Sequence, residues 1–208
     1  MKILFFDCES YGLPINYNGS YTDVDNWPRV IQLAWLLTDE HGNVIRQAAH
    51  LIKPDGWVVP QEKFWIENGH STERCMEEGS PILDVLDDFM SAKQQADLLV
   101  AHNLNFDHRI VWAEFIRAGM QPRSGMLKIC TMQSSTKYCA LPNTNGRGGF
   151  KWPKLEELHR ALFASDFDGA HDAMADIQAT AKCFFALVRL DVIKLPVLQI
   201  PDPTDAFV

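Results

Sequence analysis

Regularly spaced cysteines are absent from this chain. The five cysteines (Cys8, Cys75, Cys130, Cys139 and Cys183) are odd in number and include no CxxC pair. This pattern argues against a disulfide framework and against a zinc site built on cysteine. It is typical of a reducing compartment, so we expect a cytoplasmic location.

Basic charge is also in short supply. The chain has 19 Lys and Arg against 27 Asp and Glu, which gives a formal net charge of −8. Proteins that wrap duplex DNA need many phosphate-facing Lys and Arg side chains, and this balance argues against that mode of binding. An enzyme that admits one strand end is still compatible, because bound metal ions supply positive charge that side chains do not.

Long hydrophobic runs are absent. No segment is apolar for long enough to span a bilayer, and residues 1–6 carry a Lys and no small-residue cleavage site, which makes a poor signal peptide. We therefore expect no membrane partner. At 208 residues, without internal repeats or low-complexity stretches, the chain fits one domain with a sizeable core.

The hydrophobic pattern predicts an α/β fold with a mixed five-stranded sheet flanked by helices. An antiparallel meander of three strands comes first, at Lys2–Phe6, Arg29–Leu37 and Val44–Ile52, with a hairpin turn at His41-Gly42-Asn43. Two shorter strands alternate with helices after that. The strands are predicted at Asp97–Ala101 and Met126–Ile129, and the helices at Ile82–Met90, Phe106–Arg117, Lys154–Phe163 and Asp172–Leu187.

Two acids, Asp7 and Glu9, follow the first apolar strand directly. If the strand continues through Cys8, both carboxylates lie on one face, because side chains at i and i+2 of a strand point the same way. They would then repel each other unless a cation or a shared proton compensates. If the strand instead ends at Phe6, both acids sit in a solvated turn. The residues alone leave both alternatives open.

Further candidate residues occur later in the chain. Asp107 follows an apolar strand at the start of a helix, His171 stands at a helix entrance, and Asp176 lies in the first turns of that helix. Each has an ordinary explanation when it is taken singly. Asp107, for example, also fits the role of an acid that is stabilised by the helix dipole.

Taken together and in order, these residues resemble the DEDDh family of 3′-to-5′ exonucleases, which includes the proofreading subunit of bacterial replicative polymerases, RNase T and oligoribonuclease. The motifs are D-x-E in FFDCES, N-x-x-F-D in AHNLNFD and H-x-x-x-x-D in HDAMAD. The resemblance implies a ribonuclease-H-like domain over residues 1–190, followed by a C-terminal tail at 191–208.

The resemblance also implies the chemistry. The family's metal ligands fall on Asp7, Glu9, Asp107 and Asp176, which would hold two ions of Mg²⁺ or Mn²⁺, and His171 would be the general base. Hard cations of this kind prefer oxygen ligands, and a pair of them stabilises charge on both the attacking and the leaving oxygen. Such cations would also compensate the paired acids of the first strand.

Family position assigns the substrate contacts to six residues: Ser10, Tyr11, Gly12, Leu13, His102 and Asn103. His102 and Asn103 either position a phosphate or the helix start, or only cap the strand before the second motif, and both alternatives stay open. Ser10-Tyr11 departs from the Thr-Thr or Thr-Gly that is common in the family, and the loop at residues 16–27 is longer than usual. Its aromatic residues Tyr17, Tyr21 and Trp27 either stack on unpaired bases or cover a hydrophobic edge. We favour the second explanation.

The sequence therefore predicts an enzyme that releases nucleoside 5′-monophosphates from the 3′ end of single-stranded DNA or RNA. Two alternatives stay open, a phosphodiesterase for short oligoribonucleotides and a non-catalytic interaction protein with the same fold. Association with a polymerase or formation of a homodimer is also compatible with the sequence.

Overall fold

The computed structural model describes residues 1–121, 125–143 and 148–195. The strands in these ranges are β1 (Lys2–Ser10), β2 (Val30–Asp39), β3 (Val44–Leu51), β4 (Leu98–Ala101) and β5 (Leu127–Cys130). The helices are α1 (Lys63–Glu67), α2 (Thr72–Glu78), α3 (Ile82–Lys93), α4 (Leu104–Arg117), α5 (Thr131–Cys139), α6 (Leu155–Phe163) and α7 (Ala173–Arg189), with a 3₁₀ turn at Val24–Asn26. Of the predicted tail, residues 196–208 lie outside the described residues.

The strands form one mixed sheet in the order β3-β2-β1-β4-β5. β2 pairs antiparallel with β1 and β3, whereas β4 runs parallel to β1 and to β5. At the β2–β3 hairpin, Gly42 has a φ of +89° and the Asp39 N–H donates to the Asn43 carbonyl at 3.0 Å. The predicted meander and the five-stranded mixed sheet flanked by helices are thus confirmed.

Both faces of β1 are buried, which explains its unbroken apolar run. Phe5 packs toward α7, where its ring meets the edge of Phe184 with 5.3 Å between centroids. Phe6 points to the opposite face and packs on Phe89 of α3 at 5.6 Å. The helices therefore divide between two faces of a sheet whose central strand is β1.

β1 continues past Phe6 to Ser10. Asp7, Cys8 and Glu9 all pair with β2, each opposite its own partner. This decides between the two alternatives for the paired acids. They belong to the strand and share one face of it, and they do not lie in a solvated turn.

Three helices, α1, α2 and α5, have no counterpart in the sequence prediction. α1 and α2 are 5 and 7 residues long, which is too short to display a helical hydrophobic period. α5 has the sequence TMQSSTKYC, and Ser and Thr are weak helix formers. Each of them nevertheless buries an apolar side chain, Trp65 in α1, Cys75 in α2 and Met132 in α5.

The segment between β1 and β2 is tied to α4 by a buried carboxylate. Glu114 is 1% exposed, and its Oε1 accepts hydrogen bonds from Arg29 Nε and Arg117 Nη1, both at 2.8 Å. Arg117 also donates to the carbonyls of Trp27, at 2.5 Å, and Val24. The end of this segment is thereby fixed against the helix that carries Asp107.

In the described part of the chain, no helix combines the length and the apolar character that crossing a bilayer requires.

Candidate active site

Asp7 and Glu9 lie at the carboxyl end of β1, on the strand face that α7 covers. Burial raises the pKa of both carboxyl groups, to about 8 for Glu9. Repulsion from neighbouring carboxylates, with Asp107 the largest such contribution for Asp7 and Asp176 for Glu9, acts in the same direction. The strand therefore presents two acids whose ionised forms need a compensating positive charge.

Asp107 reaches the same place from α4. Asn103, immediately before that helix, has a φ of +63°, and this left-handed residue turns the chain sharply from β4 into α4. Asp107 is 4% exposed, and its Oδ1 accepts from Cys8 Sγ at 3.5 Å. Burial raises the pKa of Asp107 to about 7, although the hydrogen bonds from Cys8 act in the opposite direction. The helix start thus holds a third buried acid against β1.

His171 and Asp176 stand at the entrance of α7. Asp172 caps this helix, because its Oδ1 accepts from the N–H groups of Met174 and Ala175, both at 3.1 Å. His171 has a φ of +71°, and its N–H donates to Asp176 Oδ2 at 3.3 Å. Burial raises the pKa of Asp176 to about 7 against the effect of that hydrogen bond. An exposed histidine is thereby held beside a partly buried acid.

Gln32 joins the start of α7 to the sheet. It lies opposite Glu9 in the β1–β2 pairing, and its Oε1 accepts from the Ala173 N–H at 3.0 Å. Its Nε2 donates to Asp172 Oδ2 at 3.2 Å. The entrance of α7 is therefore placed relative to Glu9 by one glutamine side chain, which the sequence analysis did not select.

The five predicted catalytic residues meet at one open cavity of about 440 Å³, which they line together: Asp7, Glu9, Asp107, His171 and Asp176. Ligand atoms of Glu9, His171 and Asp176 lie within 4.8 Å of one another. Three separate segments of the chain contribute these side chains, and the structure brings them to one edge of the sheet.

The donor set fits divalent cations. Among the described residues that line the cavity, five are carboxylates, the four predicted ligands and Glu156, and one, Lys154, is a cation. Oxygen donors of this kind suit Mg²⁺ and Mn²⁺. The raised pKa values of these carboxyl groups also indicate a cation site, because ionising several buried carboxylates together requires positive charge nearby.

Four of the predicted substrate contacts line a second cavity, of about 530 Å³: Ser10, Tyr11, Gly12 and Leu13. It shares Glu9 and His171 with the carboxylate cavity. The ring of Tyr11 stacks on Trp57 with 5.6 Å between centroids, whereas Leu13 is 71% exposed. Leu13 thus offers the more open apolar surface beside the predicted catalytic residues.

The other two predicted contacts, His102 and Asn103, lie where β4 ends. The His102 ring has Nδ1 at 3.0 Å from Thr131 Oγ1 and Nε2 at 3.0 Å from the Pro153 carbonyl oxygen. Burial lowers the pKa of His102 to about 4, so the ring is neutral near pH 7. His102 braces three segments, and Asn103 makes the turn into α4. A phosphate contact by either residue stays a prediction.

Phe64, Trp152 and Glu156 also belong to this site, although none of them was predicted from the sequence. The ring of Phe64 lies edge-on to His171 at 5.2 Å, and Trp152 and Glu156 line the carboxylate cavity. No linear motif marks any of them. Trp152 is 62% exposed, and this exposure of a large aromatic side chain arises from the packing around it.

The sheet order and the acids at its edge define a ribonuclease-H-like fold. The model of the exonuclease family RNase T matches residues 4–184, a range that contains all four acids and His171. This chain therefore belongs to that exonuclease family. No curated protein matches it significantly in sequence.

Solved structures support the same fold. E. coli exonuclease I in complex with a dT13 oligonucleotide superimposes with a TM-score of 0.68 and 22% identity, over 90% of this chain and 41% of that chain. The zinc-bound form of an E. coli exonuclease I complex with single-stranded DNA gives a TM-score of 0.70 at 22% identity, over 91% and 40% of the two chains. The present chain thus spans about two fifths of the length of these neighbours.

Proposed function

We propose that this protein is a 3′-to-5′ exonuclease that releases nucleoside 5′-monophosphates from the end of single-stranded DNA or RNA. The observation that carries the proposal is the convergence of four carboxylates and a histidine on one open cavity. Membership of an exonuclease family supports nuclease chemistry. The net charge of −8 favours a single strand end over a wrapped duplex.

In this proposal Asp7, Glu9, Asp107 and Asp176 hold two ions of Mg²⁺ or Mn²⁺. When bound, such ions polarise the phosphate and stabilise charge on the attacking and leaving oxygens. His171 takes the proton of the attacking water, and its exposed ring is free to reach that water. We also propose that residues 1–190 form the catalytic domain and 191–208 a tail, since α7 ends at Arg189.

The test uses 5′-labelled single-stranded DNA and matched RNA with Mg²⁺ or Mn²⁺, resolved on a sequencing gel. We expect wild type to give a ladder that shortens from the 3′ end, and Asp7→Asn to give none, because the substitution keeps the shape of the side chain and removes its charge. Asp55→Asn, an exposed acid outside both cavities, is the matched control.

Three outcomes would contradict the proposal: immediate release of the labelled 5′ nucleotide, near-normal cleavage by Asp7→Asn, or activity that persists in excess EDTA. Comparing rates on dinucleotides and on longer strands separates a polymer exonuclease from a phosphodiesterase for short oligoribonucleotides. The ratio of DNA to RNA cleavage identifies the preferred sugar.

A further inference from the structure

The carboxylate cavity opens into a groove of different chemical character. An adjoining cavity of about 280 Å³ shares Asn103, Phe106 and Trp152 with it. We call this the aromatic groove, formed by Tyr17, Trp27, Phe106, Arg109 and Trp152. Phe106 belongs to α4, one residue before Asp107, so the groove begins at the predicted metal ligands.

Two of its aromatic side chains expose a large part of their surface. Tyr17 is 56% exposed and stacks on Phe106 at 6.3 Å, and Trp152 is 62% exposed. Trp27 differs, because it is 3% exposed and its Nε1 donates to the Ser20 carbonyl at 2.9 Å. Trp27 therefore agrees with the expectation that the aromatic residues of the 16–27 loop cover a hydrophobic edge, whereas Tyr17 presents an open ring. Trp152 adds a second one.

The charge changes sign along the same path. The aromatic groove continues into a further cavity of about 410 Å³ through Arg109, and Lys128 lines that cavity too. Among the described residues that line these two cavities there is no acid, although five line the carboxylate cavity next to them. In a chain with a net charge of −8, this is a local reversal that suits a phosphate backbone.

Arg109 is held in place for such a contact. Its guanidinium lies over the Trp27 ring, 5.8 Å from the centroid, and donates to the Tyr17 carbonyl. It thereby connects the buried and the exposed aromatic residue of the 16–27 loop. Lys128 lies further along, with its Nζ 2.6 Å from His108 Nε2.

We infer that the aromatic groove binds the nucleotides on the 5′ side of the scissile bond, with bases stacked on Tyr17 and Trp152 and phosphates toward Arg109 and Lys128. The inference rests on the proposed function. Open aromatic rings beside cations are the combination that single-strand binding grooves use. Continuity with the carboxylate cavity makes the substrate strand itself the occupant.

The first test measures binding of 5′-fluorescein-labelled dT8 by anisotropy in Ca²⁺, with the strand checked for integrity afterwards. Stacking on an aromatic ring contributes about 1–3 kcal/mol per base, so Tyr17→Ala and Trp152→Ala should each weaken binding by about 5- to 150-fold. Tyr17→Phe should bind like wild type because it keeps the ring. Phe150→Ala is the control, since Phe150 is 48% exposed and lines neither cavity. Unchanged binding by both alanine variants overturns the inference.

The second test compares kcat/KM for dT8 with that for thymidine 5′-p-nitrophenyl phosphate, which has no nucleotide to place in the groove. The ratio of the two values should fall by about 5- to 150-fold in Trp152→Ala and stay constant in Phe150→Ala. Equal losses on both substrates would assign Trp152 to the carboxylate cavity alone and overturn its role in the groove. A wild-type protein that cleaves neither of these substrates nor the matched RNA strand refutes the proposed function, and the anisotropy measurement still decides whether the groove binds a single strand.

Discussion

Single residues at this site are held in backbone conformations that non-glycine residues rarely adopt, His171 and Asn103 among them. His171 has a left-handed backbone, which costs a non-glycine residue about 1–3 kcal/mol. The Asp172 cap, the Gln32 bridge and the hydrogen bond to Asp176 together hold it there. The residue is thereby kept at the mouth of the cavity, with its side chain exposed.

Replacing His171 by alanine should lower kcat by about 10²- to 10⁴-fold if it is the general base, because that is the usual contribution of positioned proton transfer. The measurement is the pH–rate profile of wild type and His171→Ala, with His41→Ala, whose side chain is 76% exposed, as the control. The affinity for Mn²⁺ should change little. A large loss of Mn²⁺ affinity would instead make His171 a metal ligand, as its distance to Glu9 and Asp176 also permits.

At the scale of elements, sequence reasoning succeeds where hydrophobic pattern and burial agree. The five strands and helices α3, α4, α6 and α7 all follow from such patterns, and the order of the motifs selected four of the five acids that line the cavity, all but Glu156. Helices α1, α2 and α5 could not be predicted, since their length or polarity hides any period. The aromatic groove could not be predicted either, because the exposure of Trp152 and the burial of Trp27 depend on segments distant in sequence.

The hydrogen bonds of Glu114 connect α4 with the segment that precedes β2. Glu114→Ala should therefore lower the free energy of unfolding by about 3–5 kcal/mol. The substitution leaves Arg29 and Arg117, which are 22% and 17% exposed, without their buried partner. Chemical denaturation provides the measurement. Glu78→Ala, which removes an exposed pair with Arg74, is the control and should cost less than about 1 kcal/mol. Similar losses in the two variants would contradict a structural role for the buried carboxylate.

At the scale of the whole molecule, the buried carboxyl groups of the cavity lower the stability of the fold when they are ionised. Glu9, Asp107 and Asp176 have pKa values raised to about 8, 7 and 7, mainly by burial. The folded protein without metal therefore binds more protons than the unfolded chain between about pH 4 and 8. The acidic site weakens the fold in that window unless cations offset it.

We accordingly expect the metal-free protein to lose stability as pH rises from 5 to 8. The stabilisation from these groups is fully present below their unfolded pKa values near 4 and is lost as pH passes their folded values. Thermal unfolding in EDTA measures the trend, and Asp107→Asn should make it shallower. Added Mg²⁺ should raise Tm more at pH 8 than at pH 5, because it binds the ionised carboxylates. A Tm that increases from pH 5 to 8 in EDTA would refute this explanation.

The central position of β1 has a consequence for how this protein can diverge. β1 is paired on both sides over residues 3–5 and continues in regular pairing with β2 through Asp7 and Glu9, so the separation of the two acids is fixed by the sheet. The segment between β1 and β2 is attached to α4 at its end, where Arg29 contacts Glu114, and carries Tyr17 at its surface. Under the proposed function, insertions there would alter which nucleic-acid strands are accepted without moving the carboxylate cavity. The fold thus lets the loop that faces the groove vary in sequence while the strand that carries the acids stays the same.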